Sequence, residues 1–397
     1  MKRSTIILII IIVTAVFISG CGLAYAPVAS LLKSDGRAVQ LQADPTMTPA
    51  AVQEVQNAPE TQTGSSIRDF QATFEQIYEL VNPSVVNIQV GSSAAAALSQ
   101  GIPGGLGSGF VWDDEGHIVT NSHVVNGAGQ ILVTFADGTT VEAELVGEDP
   151  NSDLAVIKVD SSAVEDLRPV TVADSSLVKV GQLAIAIGNP FGLSGTMTEG
   201  IVSARARSLP VGDGTVSGGS YTIPDIIQTD AAINPGNSGG VLVDIEGHVI
   251  GVTAAIRSTI PNANSGIGFV IPSNIVKRVV PTLIDEGAYE HPRMGVSGRS
   301  LSYEVNQVLG LDAGLKGVVV MEVVPNSPAE RAGLQGATGQ GRAGDIIIAI
   351  DEQPVRSFED LTTYLFYNTE VGQEVTLTIL RQGEEQEVQL TLGSITQ

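Results

Sequence analysis

The run Asn234-Pro235-Gly236-Asn237-Ser238-Gly239-Gly240 sets one hydroxyl among three glycines and a proline. Glycine reaches backbone angles that other residues avoid, so such a turn can lift the Ser238 hydroxyl out of the fold and aim nearby N–H groups at one point. A serine hydroxyl attacks only if a base takes its proton and donors stabilise the oxyanion that forms. Four histidines compete for the role of base: His117, His123, His248 and His291. His117 and His248 fall at the same place in two similar segments, which suits structural or solvent-facing roles. His291 has no chemical partner nearby in sequence, and no pair of histidines has the spacing of a metal site. His123, in Thr120-Asn121-Ser122-His123, is left as the base. Asp153 stands just before the apolar run Leu154 to Val159, where a strand can hold its carboxylate against that imidazole. Asp149 and Asp160, which flank it, read as turn residues. Backbone N–H groups of Gly236 and Ser238 would then receive the oxyanion. The chemistry is acyl transfer with no cofactor.

These residues need elements to carry them. Gly109 to Val119 matches Gly240 to Ile250, each reading as a β-hairpin with an acidic-glycine turn. Two copies far apart predict two related β-subdomains, with the base after one hairpin, the serine before the other, and a cleft between two barrels. Abundant glycine (45 residues) and few aromatics agree with short strands and tight turns. Before the first strand, Val85 to Val90, the spacing of Phe70, Phe74, Ile77 and Val81 predicts a helix that Pro83 ends. Residues 290–397 carry strands at Gly317 to Val323, Asp345 to Ile350 and Glu374 to Leu380. A helix is expected over Ser357 to Tyr367, with Phe358, Leu361, Tyr364 and Leu365 as its apolar face. With 397 residues there is room for more than one core, and a net charge of −23 disfavours a nucleic-acid partner.

Thr120 to Val125, Ser152 to Val156 and Gly236 to Gly240 resemble the three catalytic blocks of the HtrA/Deg serine proteases. Thr229 to Asn234 and Gly266 to Pro272 are similar to other loops of that family. The resemblance spans about residues 68–285 and implies a mainly β, chymotrypsin-like double barrel with His123, Asp153 and Ser238 as triad. It also implies an endopeptidase of protein quality control that cuts unfolded or damaged chains, and a homotrimer. A peptide-binding chaperone or stress sensor with minor proteolysis is the alternative. Ala232 stands where trypsin-like enzymes that cut after basic residues carry an aspartate, so Ala232 and Ile233 point to small aliphatic residues before the scissile bond. Asn237 replaces the aspartate that pairs with a freed N-terminus in digestive zymogens. Activation is therefore expected through loop ordering around Gly236 and Ser238.

The segment 290–397 resembles a PDZ (α+β) domain. Arg293-Met294-Gly295-Val296 is similar to the loop whose amides hold a peptide's terminal carboxylate, and Val324 to Leu334 and Gly344 to Ile347 match internal blocks. The glycine-rich insert Gln335 to Arg342 departs from the pattern, and Met294 replaces a more usual leucine. At the other end, Lys2 and Arg3 precede an uncharged stretch to Leu32 with an apolar heart at Ile6 to Ile18. This reads as an export segment over residues 1–32. Ile18-Ser19-Gly20-Cys21 resembles a lipobox, which would make Cys21 a lipidation site. A retained span, or release after Ala24-Tyr25-Ala26, are the other readings. Each delivers the mature chain outside the cytoplasm. Residues 33–67 are expected to be a disordered tether.

Overall fold

The computed structural model describes residues 62–91, 105–190, 195–211, 221–254, 266–337 and 344–394. Cys21, the export segment and the tether up to Thr61 lie outside the described residues, as do most of the loop 94–107 and insert residues 338–342. The first described element is α1 (Gln62–Val81), which starts inside the stretch expected as tether. Its C-terminal end buries Ile77 and Val81 in the barrel core, whereas Phe70 is 56% exposed. A 3-10 turn at Asn82–Ser84 with Pro83 in its first positions ends the helix.

Next come β1 (Val85–Gly91), β2 (Leu106–Val111), β3 (His117–Thr120), the single turn α2 (Ser122–Val125), β4 (Gln130–Thr134), β5 (Thr140–Asp149) and β6 (Leu154–Val159). They close in the order β1-β2-β3-β6-β5-β4. A second barrel follows: β7 (Leu183–Gly188), β8 (Thr196–Val211), β9 (Tyr221–Thr229), β10 (Val241–Val243), β11 (Val249–Ala254) and β12 (Gly268–Pro272). It closes as β10-β11-β12-β9-β8-β7, which is the order of the first barrel with each strand moved on by six. Closure leaves no sheet edge unpaired, and the strands bury runs of Val, Ile and Ala such as Leu154 to Ile157.

The duplication is real, but the repeated segment does not mark it. Gly109 to Val119 builds β2–β3, whereas Gly240 to Ile250 builds β10–β11, whose counterpart in the first barrel is β4–β5. The two segments are alike for a local reason. In one, Asp113 Oδ1 accepts the N–H groups of Glu115 and His117 at 3.0 and 3.1 Å. In the other, Asp244 Oδ1 accepts those of Glu246 and His248 at 3.0 and 2.9 Å. Gly116 and Gly247 both take positive φ, at 91° and 79°. One turn chemistry, used twice at non-equivalent places, produces the match.

Helix α3 (Ser273–Glu286) lays Ile275, Val276, Val279, Val280 and Leu283 on the barrels, all buried. Gly287 ends it in the left-handed region at φ 80°. A side chain at Gly147 of β5 would lie 2.6 Å from the Gly287 carbonyl oxygen, so only glycine lets the helix end approach the strand this closely.

The C-terminal part contains β13 (Pro292–Arg293), β14 (Val296–Ser300), α4 (Tyr303–Leu309), β15 (Val318–Val323), α5 (Pro328–Arg331), β16 (Ile346–Ile350), β17 (Gln353–Pro354), α6 (Phe358–Asn368), β18 (Glu374–Arg381), β19 (Glu384–Thr391) and β20 (Gly393–Ser394). Its main sheet runs β14-β15-β16-β18-β19, which leaves β14 at an edge. Ser357 caps α6 by accepting the Asp360 N–H at 3.1 Å. Phe366, which the expected apolar face omits, is the most buried aromatic of α6, at 2% exposure. It leaves its own domain's core and joins the barrel-side cluster of Val276, Val279, Val280 and Leu283. Arg278 of α3 lies 5.8 Å above its ring and donates to the Tyr367 and Thr369 carbonyls at 3.2 and 3.1 Å. This apolar contact docks the C-terminal domain on the barrels.

Phe366→Ala is accordingly expected to cost about 3–5 kcal/mol and to split unfolding in guanidinium into separate barrel and C-terminal transitions. A single transition with an unchanged midpoint would show that the ring carries no docking energy.

Candidate active site

His123 and Asp153 come together across neighbouring segments of the first barrel. Asp153 sits at φ 55°, a left-handed conformation that Asp tolerates better than most residues, immediately before β6. Four donor groups hold it there. Its carbonyl accepts the Ser122 N–H at 3.2 Å and the Asn121 Nδ2–H at 2.9 Å. Its carboxylate accepts the His123 N–H at 3.1 Å and faces His123 Nδ1 at 2.9 Å from both oxygens. Asp153 is 8% exposed, while the His123 side chain is 45% exposed. With Nδ1–H committed to the carboxylate, Nε2 is the nitrogen that can take a proton.

The turn bearing Ser238 belongs to the second barrel. Asn237 N–H donates to the Asn234 carbonyl at 2.9 Å and Gly236 has φ 95°, the signature of a type II turn with glycine at its third position. A Cβ at Gly236 would also lie 2.6 Å from Pro190 Cβ. Gly239, at φ 84°, packs so closely on the Ser108 carbonyl and the Thr120 hydroxyl that no side chain fits. The serine turn therefore rests on the residues that lead into His123.

One residue that sequence reasoning passed over ties the halves together. Ser108 of β2 is fully buried. Its N–H donates to the Ser238 carbonyl at 2.7 Å, and its hydroxyl donates to the Gly236 carbonyl at 2.7 Å. The same hydroxyl accepts the Asn189 N–H at 2.8 Å. Ser108's own carbonyl accepts from Thr120 Oγ1 at 2.7 Å. Both residues expected to present oxyanion-binding N–H groups are thus gripped through their carbonyls by one side chain and backbone of the other barrel. The sequence signal was Gly107-Ser108-Gly109, a small-residue triplet within a strand, which marks close backbone approach.

Ala232 and Ile233 precede the serine turn. Ala232's carbonyl accepts from Thr198 Oγ1 at 2.9 Å, and both side chains are partly exposed. A Cβ at Gly268 would lie 2.7 Å from Ile233 Cδ1, so the wall beside Ile233 is closely packed and apolar. Asn237, read as an uncharged stand-in for an ion-pairing aspartate, is buried, and its Oδ1 has no hydrogen-bond partner among the described residues.

Arg293, Met294, Gly295 and Val296 lie in the C-terminal domain. Met294 is 2% exposed and part of that domain's core. Gly295 has φ 84° and packs against Ser327, and its carbonyl accepts the Val324 N–H at 2.9 Å. Val296 begins the edge strand β14, beside α6, where Gly298 lies under the Phe358 ring. A cavity of about 550 Å³ lies between Arg207 and Ser208 of β8 and Glu359, Asp360 and Thr363 of α6. It contains none of the candidate catalytic side chains.

His291, which has no chemical partner nearby in sequence, finds one across the fold. Its Nε2 lies 2.6 Å from Asp149 Oδ2, and both side chains are fully buried. The partner is 142 residues away in sequence, so no local pattern could announce it. Asp149, expected in a turn, is instead the last residue of β5, and its carboxylate starts the turn by accepting the N–H groups of Asn151 and Ser152 at 3.0 and 3.3 Å.

Comparison with known proteins agrees with this architecture. Residues 107–252 match the trypsin-like peptidase domain and residues 292–392 the PDZ domain. The chain is 40% identical over 324 residues to Protease Do-like 1, chloroplastic, of Arabidopsis thaliana, covering 80% of this chain and 71% of that protein. It is also 40% identical over 293 residues to the periplasmic serine endoprotease DegP of Escherichia coli K12, covering 74% of this chain and 58% of DegP. Among solved structures, the HtrA-type protease AlgW with tripeptide superposes with a TM-score of 0.66 at 35% identity, over 82% of this chain and 98% of that one. By sequence, barrel architecture and domain order, the chain belongs to the HtrA/Deg family of serine proteases, with one trypsin-like domain and one PDZ domain.

Proposed function

We propose that this protein is a serine endopeptidase in which Ser238 is the nucleophile, His123 the general base and Asp153 the residue that orients it. The observation that carries this reading is the bond from His123 Nδ1 to a carboxylate buried at the head of β6, with the Ser238 turn docked on Thr120 and Asn121. His123 Nε2 takes the hydroxyl proton as Ser238 Oγ attacks the peptide carbonyl, and the imidazolium is stabilised by Asp153. The N–H groups of Gly236 and Ser238 receive the oxyanion. Collapse of the tetrahedral intermediate breaks the C–N bond, and His123 passes the proton to the leaving amine. Water, deprotonated by His123, then attacks the acyl-serine and releases the acid product and Ser238.

Partly exposed Ala232 and apolar Ile233 support a pocket for small aliphatic side chains, the kind that unfolded chains expose. The edge strand β14 after Gly295 supports capture of an extended peptide C-terminus by strand addition. Export is supported by the basic-apolar N-terminus and by periplasmic relatives. We place the mature chain outside the cytoplasm, held by lipid on Cys21 or by a retained span. Among the described residues no helix is long and apolar enough to cross a membrane. Exposed Ile67, Phe70 and Leu80 on α1 offer apolar surface for self-association, and the family resemblance makes a homotrimer the assembly we propose.

Ser238→Ala is expected to lower kcat on unfolded casein by about 10⁴–10⁶-fold. Ser108→Ala should lower it by about 10–100-fold, less than deletion of an oxyanion donor itself, with KM nearly unchanged. Casein cleavage in Ser238→Ala at the wild-type rate would refute the assignment. Ala232→Asp is expected to shift the ratio of kcat/KM from a valine to a lysine before the scissile bond by about tenfold or more. An unchanged ratio in a peptide-library digest would place the specificity pocket elsewhere.

A further inference from the structure

The His291–Asp149 pair stands outside the triad, yet its geometry leads into it. Asp149 closes β5, and its carboxylate collects three donors: His291 Nε2 and the N–H groups of Asn151 and Ser152. That carboxylate thereby fixes the head of the turn 150–153, whose last residue is Asp153. At its other end the turn is fixed by Asn121, Ser122 and His123, all bonded to Asp153. A short turn held at both ends, with a non-glycine residue at φ 55°, has little freedom to absorb a shift of Asp149. The neighbouring Glu148 carboxylate accepts from Ser122 Oγ at 3.1 Å and adds a second link to the helical turn of His123.

His291 itself is set by the PDZ domain. It precedes β13, whose Arg293 pairs with Gly393 of β20. Next, the Met294 carbonyl accepts the Ala329 N–H at 2.8 Å, and Gly295 is locked on Ser327. The His291 ring packs against both Tyr289, at 4.8 Å centroid separation, and Phe366, at 5.9 Å. Behind it, Gly147 and Gly287 meet backbone to backbone. The imidazole is therefore a rigid extension of the segment that forms the peptide loop, pushed into the turn that carries Asp153.

We propose that His291 and Asp149 are positioning residues for proteolysis: the buried pair makes the orientation of the Asp153 carboxylate, and hence of His123, depend on the docked start of the PDZ domain. This rests on the triad reading above and names the contact through which the second domain reaches the triad. An uncompensated buried carboxylate is costly, so loss of the His291 donor is answered by movement of Asp149 towards other donors. The turn moves with it.

The test compares full-length His291→Leu, which removes the donor, with His291→Gln, whose amide can still donate to Asp149. Each is assayed on an aliphatic peptide beside wild type and Ser238→Ala, with thermal unfolding to identify folded samples. His291→Leu is expected to lose about 10–100-fold in kcat with KM within about twofold, and to lose the low-field proton resonance of the His123 Nδ1–H···Asp153 bond. His291→Gln should restore both to near wild type. If His291→Leu does not fold, His291→Asn, too short to reach Asp149, takes its place with the same expectation. Wild-type kcat in a folded His291→Leu or His291→Asn overturns the proposal, as does a loss that His291→Gln leaves unrestored. Wild-type cleavage that is indifferent to Ser238→Ala would instead sink the triad reading beneath it.

Discussion

Two β-barrels lying side by side have no covalent reason to keep one relative position, and a site shared between them needs that position fixed to a fraction of an ångström. Here the constraint is supplied at Ser108. Its amide and hydroxyl hold the carbonyls of Ser238 and Gly236, and the hydroxyl also accepts the Asn189 amide. Every one of these groups is buried, so breaking one bond leaves a polar atom without water to replace its partner. The joint is consequently stiff in a way that apolar packing alone is not, since apolar contacts resist separation more than sliding.

The glycines of the serine turn follow from that joint. Gly239 must be bare because the first barrel's backbone occupies the space of its side chain, and Gly236 must be bare because Pro190 does. Their positive φ angles then orient the N–H groups of the turn. On the facing side, left-handed Asp153 is a local cost offset by its bonds to Asn121, Ser122 and His123. The geometry of the proposed triad is thus over-determined from both barrels, and the strain at Asp153 is tolerable only while its neighbours stay in place.

Much of this was legible in the chain because it depends on local chemistry. The glycine-serine turn, the helix ending at Pro83 and the aspartate before an apolar strand each follow from the residues themselves, and the structure keeps all three, with only the C-terminal part of the helix's apolar face, Ile77 and Val81, buried. What escaped was long-range. Matching Gly109 to Val119 with Gly240 to Ile250 correctly suggested duplication, but the match reflects a shared aspartate-glycine turn at non-equivalent strands. Phe366 falls off the apolar face of its helix because it serves another domain's core. His291 has no partner nearby in sequence because its partner arrives from a distant strand. Met294 belongs to a loop with a recognisable pattern, yet the fold turns its side chain inward. Periodicity reports which face of an element is buried, and says nothing about what buries it.

The central claim is that Ser238, set by Ser108 and served by His123 and Asp153, is the single activated hydroxyl of this protein. Treating the full-length protein with a fluorophosphonate and locating the adduct by peptide mass spectrometry tests it directly. The account predicts one phosphonylated residue, Ser238, whose labelling disappears when His123 is replaced by alanine. An adduct on any other serine, or labelling of Ser238 that persists without His123, would contradict it.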